Sequence, residues 1–210
     1  MELNSPALRG SPQRELFGQI ARAALAAVDA EVATRRQLGW LGNDSIRVGS
    51  VLLPTPMAVH LLAVGKAAVP MARGAMAGLA DKVERCLIIT STEETLEGAE
   101  HVRGEHPVPG ARSLAAGLRA KRFASELEAG DLLLVCISGG ASAMMASPRT
   151  GSIESLAEVT RTLMRAGLPI EILNRARAAL DELKFGGLAH LASPADCGAL
   201  ILSDVPGDEI

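Results

Sequence analysis

Three segments of the chain place small or reactive residues directly after short apolar runs. They are Gly65-Lys66, Ser138-Gly139-Gly140-Ala141-Ser142 and Ser203-Asp204. Short runs of Val, Ile and Leu are typical of buried strands, and the carboxyl ends of parallel strands meet at one edge of an open sheet. We therefore expect a lysine, a glycine-rich turn and a carboxylate to converge there, which is a combination suited to binding and transferring an anionic group.

The glycine-rich segment joins a strand to the start of a helix near Ala141. Backbone N–H groups at such a turn, with the hydroxyls of Ser138 and Ser142, predict binding of a phosphate or carboxylate. The alternative is a tight turn that needs Gly139 and Gly140 only for their backbone angles. A serine nucleophile is not predicted, because the order Gly-x-Ser-x-Gly is absent.

Lys66 and the two terminal aspartates are the charged candidates. Lys66 should project over the sheet edge and neutralise phosphate charge, although no Walker A sequence precedes it and a solvated lysine at a helix start is the alternative. Asp204 and Asp208 flank a Pro-Gly turn, which suits a shared Mg²⁺ ion or a substrate hydroxyl. A helix N-cap with a surface acid is the alternative for this pair.

The elements that must position these residues alternate along the chain. A helix is predicted from Ser11-Pro12 to Leu38-Gly39, followed by a glycine-rich connection. The connection leads to the apolar run Val51–Leu53. Strands are predicted at Leu61–Val64, Cys86–Ile89, Asp131–Ile137 and Ala199–Leu202, with a short extended piece at Glu100–Val102. Helices are predicted at Ala67–Leu79, Leu114–Glu128 (capped by Ser113), Ala141–Ala146, Ile153–Ala166 and Ile170–Leu183. Such alternation predicts an α/β fold, a Rossmann-like three-layer α/β/α sandwich with a mainly parallel sheet. We interpret 1–210 as one domain with a helical lead-in at 1–50 and the sheet core at 51–210.

Composition excludes several classes of protein. Aromatic residues make up 2%, the net charge is −3 and the pI is about 5.8, so binding to nucleic acid or an anionic membrane is not expected. No apolar stretch reaches ~18 residues and no secretory signal is visible. Three widely spaced cysteines are interpreted as reduced core residues of a cytoplasmic protein. No Gly-x-Gly-x-x-Gly occurs, which argues against an ordinary NAD site.

Five motifs occur in the order found in one known family. They are Val64-Gly65-Lys66-Ala67-Ala68, Gly104-Glu105-His106-Pro107-Val108-Pro109, Ile137-Ser138-Gly139-Gly140-Ala141-Ser142-Ala143, the segment Asn174 to Ala189, and Ser203-Asp204-Val205-Pro206-Gly207-Asp208. Together they make the chain, from about Leu16 to its last residue, resemble the glycerate 2-kinase family (MOFRL-type glycerate kinases, whose N-terminal portion is DUF4147-like).

The resemblance implies transfer of the ATP γ-phosphate to the 2-hydroxyl of D-glycerate or a similar hydroxy acid, with Mg²⁺. It implies that Lys66 is the catalytic lysine and that Asp204, beside Asp208, is a base or metal ligand. The implied anion-binding residues are Gly65, Ser138, Gly139, Gly140 and Ser142, and the implied substrate contacts are His106, Asn174, Arg177 and Lys184. A structural role in its rigid turn is the alternative for His106. A homodimer is left open.

The chain departs from the family pattern at several positions. Ala141 stands on a glycine position of the turn, Ala179 and Asp181 replace a His and a Ser, and Phe185 stands on another glycine position. Family members also continue into a smaller C-terminal domain that closes over the site, which we expect to be absent here. We therefore expect this chain alone to turn over glycerate poorly or not at all. A non-catalytic remnant or anion-binding subunit is the alternative to a kinase, and a hydroxypyruvate reductase would need a dinucleotide fingerprint.

Overall fold

A computed structural model describes residues 13–42 and 44–203. The helices are α1 Arg14–Ala27, α2 Ala30–Arg36, α3 Ala68–Leu79, α4 Ala111–Ser125, α5 Ala141–Met144, α6 Ile153–Arg165, α7 Ile170–Leu180 and α8 Gly187–Ala192, with a 3₁₀ turn at Ala80–Lys82. The strands are β1 Leu38–Leu41, β2 Ser45–Val48, β3 Val51–Pro54, β4 Val59–Val64, β5 Val83–Thr90, β6 Glu100–Arg103, β7 Leu132–Ser138 and β8 Asp196–Leu202. No described helix is both long and apolar enough to cross a membrane.

The main sheet has five parallel strands in the order β6-β5-β4-β7-β8. Its central strand β4 is buried along its whole length, because helices cover both faces. Alternate β4 residues pack on opposite sides: Leu61 and Ala63 lie against α3, whereas Leu62 and Val64 lie in the core that includes α4 and α8. The predicted Rossmann-like sandwich is confirmed. From β4 the chain continues to β5 and β6 on one side of the sheet, and from β7 it continues to β8 on the other side. The topological switch point, where the strand order reverses, therefore lies between β4 and β7.

The first helix of the prediction is two helices. The break falls at Val28–Asp29, where the Asp29 side chain accepts a hydrogen bond from the Val32 N–H at 2.9 Å and caps α2. The apolar side of α1 lies largely at the surface, where Phe17 is 49% and Ile20 56% exposed. The predicted cap at Ser11-Pro12 lies outside the described residues.

A small antiparallel sheet, β1-β2-β3, occupies the region predicted as a glycine-rich connection and the apolar run that follows it, where no strand was predicted. Its residues Ile46 and Val48 are buried in the same core as α3, and a Cβ on Gly198 of β8 would lie 3.3 Å from Val48 Cγ1. This sheet therefore covers one face of β8. The prediction missed it because each strand has only four residues and β2 mixes polar with apolar positions.

Other boundaries differ where local contacts override the pattern. The N-cap of α4 is Gly110, and Ser113 lies inside the helix with its hydroxyl bonded to Glu105. Helix α8 and the first three residues of β8 were not predicted. Cys86 and Cys136 are buried, and burial raises the pKa of each thiol to about 12. The interpretation of Cys197 as a core residue is wrong, because it lies exposed on β8.

Candidate active site at the switch point of the sheet

Two of the three predicted segments meet at the switch point between β4 and β7. The Lys66 N–H donates to the Gly139 carbonyl at 3.0 Å, and the Ala67 N–H donates to Ser138 Oγ at 3.0 Å. The third segment follows β8, whose last residue, Leu202, pairs with Ser138. Asp204 and Asp208 lie outside the described residues, so their place in the site stays a prediction.

Gly65 permits the close approach of the two strand ends. Its φ is +121°, and a Cβ at this position would lie 2.4 Å from Ser138 Oγ and 2.5 Å from the Ser138 carbonyl oxygen. Its N–H also donates to the Ile89 carbonyl at 3.0 Å, which holds the end of β4 against β5. Only glycine satisfies both the backbone angle and the spacing.

The Ser138 hydroxyl serves the junction between the strands. It accepts from Ala67 N–H and donates its single proton to the Val64 carbonyl at 3.4 Å, and the residue is 6% exposed. Donation from this hydroxyl to an anion would replace its contact with the Val64 carbonyl, and that role stays a prediction. Gly139, Gly140 and Ser142 are half-buried at the edge of the site.

In the turn after Ser138, the groups available to an anion are backbone N–H groups, and the helix dipole contributes little. Gly140 has φ +88°, and α5 is a single turn of four residues, so the macrodipole behind it is small. Ala141 begins that turn in a helical conformation. Its methyl group, on a glycine position of the family pattern, therefore requires no left-handed backbone.

His106 lies against the turn. A Cβ on Gly140 would be 2.8 Å from His106 Cδ2 and 3.3 Å from Nε2, so the imidazole ring occupies the space beside this glycine. The neighbouring Glu105 fixes the loop to α4: its N–H donates to Ser113 Oγ at 3.0 Å and its carboxylate accepts from the Arg112 N–H at 3.0 Å. The pKa of His106 is lowered, mainly by burial and to a smaller extent by the positive charges of Lys66 and Arg177.

Arg177 reaches the same place from α7. Its Nη2 donates to the Pro107 carbonyl at 3.3 Å, and its Nε is buried without a hydrogen-bond partner among the described residues. Burial lowers the pKa of this guanidinium. Lys66 and Arg177, which we call the cationic cluster, thus come from distant segments and lie close enough to His106 for their positive charges to lower its pKa. Such clustering creates a positive potential that favours anions.

Lys184 is committed to an internal contact. Its ammonium donates to the Met145 carbonyl and lies 3.7 Å from Asp181 Oδ2, and its side chain is 15% exposed. Burial lowers the pKa of Lys184, and Asp181 opposes that change. Asp181 is 1% exposed and accepts from the N–H groups of Ser147 at 3.0 Å and Leu183 at 2.8 Å. The aspartate on the family's serine position therefore supplies the counter-charge for Lys184. Lys184 also lines the cavity described below, and its contact with substrate stays a prediction.

A cavity of about 680 Å³ opens beside the turn, between the sheet and the segment 174–189. Val64, Ile137, Ala141, Ser142, Asn174 and Phe185 are among its lining residues. Asn174 is thus at the cavity wall, and its contact with substrate stays a prediction. Phe185 is a lining residue that the prediction treated only as a departure; its position on a glycine of the family pattern was the available signal. No group of three or more His, Cys, Asp or Glu side chains in the described part of the chain is arranged to hold a metal ion.

Comparison with known proteins agrees with the motifs. The family model described as a domain of unknown function, DUF4147, matches residues 16–210. The D-glycerate 2-kinase of Thermotoga maritima is 34% identical over 156 residues, which cover 72% of this chain and 37% of that protein. The glycerate kinase of Danio rerio is 36% identical over 210 residues, covering 90% of this chain and 41% of that protein.

A solved structure shows the same fold. The crystal structure of glycerate kinase from Thermotoga maritima matches with a TM-score of 0.74 and 28% identity, over 92% of this chain and 45% of that chain. The chain thus spans about two fifths of the length of the curated relatives it matches. The chain belongs to the DUF4147 family, whose model matches most of its length.

Proposed function

We propose that this site takes part in transferring the γ-phosphate of ATP to the 2-hydroxyl of D-glycerate or a similar small hydroxy acid. The observation that carries the proposal is the cationic cluster beside His106, whose ring lies against the Gly139–Gly140 turn at the switch point where open α/β sheets bind ligands. The names of the relatives, which are glycerate kinases, support the reaction type.

Lys66 and Arg177 would balance the charge of the transferred phosphoryl group. The Lys66 backbone is held by Gly139, while its side chain is exposed at the sheet edge. Arg177 uses one nitrogen on Pro107 and keeps a buried Nε without a partner in the described residues. Preorganised cations of this kind lower the barrier because they do not have to reorient as charge develops.

His106 and Asn174 are suited to orienting the acceptor. Because its pKa is lowered, the His106 imidazole is neutral near pH 7 and can exchange a hydrogen bond without adding charge. Asn174 lines the cavity and carries both donor and acceptor groups. Lys184 would act indirectly, because its contacts with Met145 and Asp181 join α5 to the end of α7.

Mg²⁺ enters the proposal as part of the nucleotide substrate, where it neutralises part of the phosphate charge. Asp204 and Asp208 are the residues proposed to contact that ion or to accept the proton of the 2-hydroxyl. Both lie outside the described residues, so we assign them no geometry. The strand that leads to them, β8, is paired with β7 up to Ser138.

Calorimetric titration of the chain with Mg-ATP tests the proposed site. We expect Lys66→Met and Arg177→Met each to weaken binding about tenfold or more, because each removes a positive charge of the cationic cluster. Lys82→Met is the matched control, since Lys82 is an exposed lysine that precedes the amino end of β5, at the opposite edge of the sheet. Wild-type affinity in both test variants would overturn the proposal.

A coupled ADP-release assay separates phosphotransfer from simple anion binding. ADP release that depends on D-glycerate and is lost in Lys66→Met supports the kinase, even at the low rate we expect for this chain alone. Mg-ATP binding with no ADP release over a long incubation supports the anion-binding alternative.

A further inference from the structure

Phe185 combines two unfavourable features at the mouth of the cavity. Its side chain is 76% exposed, and its backbone has φ +49°, a left-handed conformation rare for a bulky residue. Its ring lines the 680 Å³ cavity. Strained residues persist where the surrounding structure holds them, and they cluster at ligand sites. This phenylalanine is therefore a candidate for ligand contact rather than for packing.

The chain offers few other aromatic faces. It has three phenylalanines, one tryptophan and no tyrosine. Phe123 is 1% exposed in the core, Trp40 packs against the core beside α3, and Phe17 lies on α1, which contributes no residue to the cavity. Phe185 is thus the one aromatic residue that lines this cavity in the described part of the chain.

The rest of the cavity suits a purine. Its volume falls within the ~300–1,000 Å³ range of sites for small ligands. Val64, Ile137 and Leu188 give it apolar walls. Ala141 and Ser142, which directly follow the Gly139–Gly140 turn, also line the cavity, so the cavity adjoins the proposed phosphate site.

We infer that Phe185 is the residue on which the adenine ring of ATP stacks. The base lies in the cavity against the exposed ring face, and the phosphates extend toward the Gly139–Gly140 turn and the cationic cluster. The inference rests on the proposed function, because it takes ATP as the ligand. Beyond the proposed function, it locates the adenine base and makes Phe185 the residue that gives the site a preference for a planar, aromatic ligand.

The test compares ATP with inorganic triphosphate, which has the charge of the nucleotide tail and no base. Calorimetry in the presence of Mg²⁺ measures the affinity of the wild-type chain for ATP and for triphosphate. The ratio of these two affinities gives the contribution of adenosine to binding. Phe185→Gly removes the ring, and Phe185→Leu keeps an apolar side chain at the same backbone angle without an aromatic face. We expect both variants to bind Mg-ATP about tenfold or more weakly and to bind triphosphate within about twofold of wild type.

A third variant reports stacking directly. In Phe185→Trp we expect Mg-ATP affinity near that of wild type and quenching of the indole fluorescence by ATP or adenosine, but not by triphosphate. The wild-type chain, whose single tryptophan is Trp40, gives the background signal. Thermal melts confirm that each variant is folded before affinities are compared.

The possible outcomes distinguish a failure of the adenine-stacking inference from a failure of the proposed kinase function. Wild-type ATP affinity in Phe185→Gly and Phe185→Leu overturns the inference and leaves the kinase proposal standing, as does equal affinity of the wild-type chain for ATP and triphosphate. Binding of neither ligand to the wild-type chain overturns both. Selective loss of ATP affinity together with quenching in Phe185→Trp supports both.

Discussion

Replacing Gly65 with alanine should disrupt the junction that forms the site. The new methyl group would lie 2.4 Å from Ser138 Oγ and 2.5 Å from the Ser138 carbonyl oxygen, at a backbone φ of +121°. One of these neighbours is backbone, so rotation of a side chain cannot relieve the contact. Either β4 and β7 separate at their carboxyl ends, or the Gly65 backbone leaves its conformation.

The magnitude follows from two contributions. A residue with a Cβ in a sparsely populated backbone region costs about 1–3 kcal/mol. Overpacking in a closely packed region adds about 1–3 kcal/mol. We therefore expect Gly65→Ala to lower the free energy of unfolding by about 2–6 kcal/mol. At an m-value of about 2 kcal/mol/M, a loss of 3 kcal/mol lowers the urea midpoint by about 1.5 M.

Gly167→Ala is the matched control for that experiment. Gly167 also has a positive φ, +65°, but nothing lies within 4 Å of a Cβ built there. Its alanine variant should show the backbone contribution alone, about 1–2 kcal/mol. Urea unfolding of both variants is followed by circular dichroism. The extra loss in Gly65→Ala combines the contact with Ser138 and the rarer backbone angle of +121°. Equal losses in the two variants would show that the close approach at Ser138 has no energetic consequence and would refute the reasoning.

Three further predictions concern charge and strain. Asp181→Ala should lower the free energy of unfolding by about 3–5 kcal/mol, because it leaves the Lys184 ammonium without its counter-charge. Urea unfolding measures this loss. The control is the exposed cap variant Asp29→Ala, for which we expect about 1 kcal/mol, and a loss no larger than that in Asp181→Ala would contradict the prediction. The pKa of His106 is lowered in the folded chain, so the unfolded chain binds the proton more readily and this residue's contribution to stability should fall as pH drops below about 6.5. An NMR titration should give a His106 pKa below its ordinary value and a higher one in Lys66→Met; an unchanged pKa would place the lysine outside the site. Phe185→Gly should be more stable than Phe185→Ala by about 1 kcal/mol in thermal or urea unfolding, because only glycine adopts φ +49° freely. If the alanine variant is the more stable of the two, the backbone at this position is not strained.

The strands at the centre of the sheet were predictable because burial on both faces leaves an uninterrupted apolar sequence. β4 and β7 were recognised on that basis, and their neighbouring ends brought Lys66 beside Gly139 as expected. The short strands of the small sheet gave no such signal. Ser45-Ile46-Arg47-Val48 acquires its order from pairing with β1 and β3, which is information about neighbours that the local pattern does not contain.

The charged residues show the same limit at the level of side chains. The sequence identified Arg177 and Lys184 as equivalent candidates. The first donates to the Pro107 carbonyl beside His106, whereas the second is held by Asp181 and the Met145 carbonyl. No local pattern records which of two cations has a buried counter-charge. Likewise, the orientation of the Ser138 hydroxyl depends on Ala67 and Val64, which lie far away in the sequence.

The junction of β4 and β7 also has a consequence for how the protein folds. Its hydrogen bond from Ala67 to Ser138 spans 71 residues, and β5, β6 and α4 all lie within that span. Contacts of such separation form late, because the entropy of closing the intervening loop must be overcome first. The β4, β5 and β6 region can assemble from nearer contacts, but the turn and the lysine face each other only once β7 has docked. Recovery of anion binding during refolding should therefore follow recovery of helical signal.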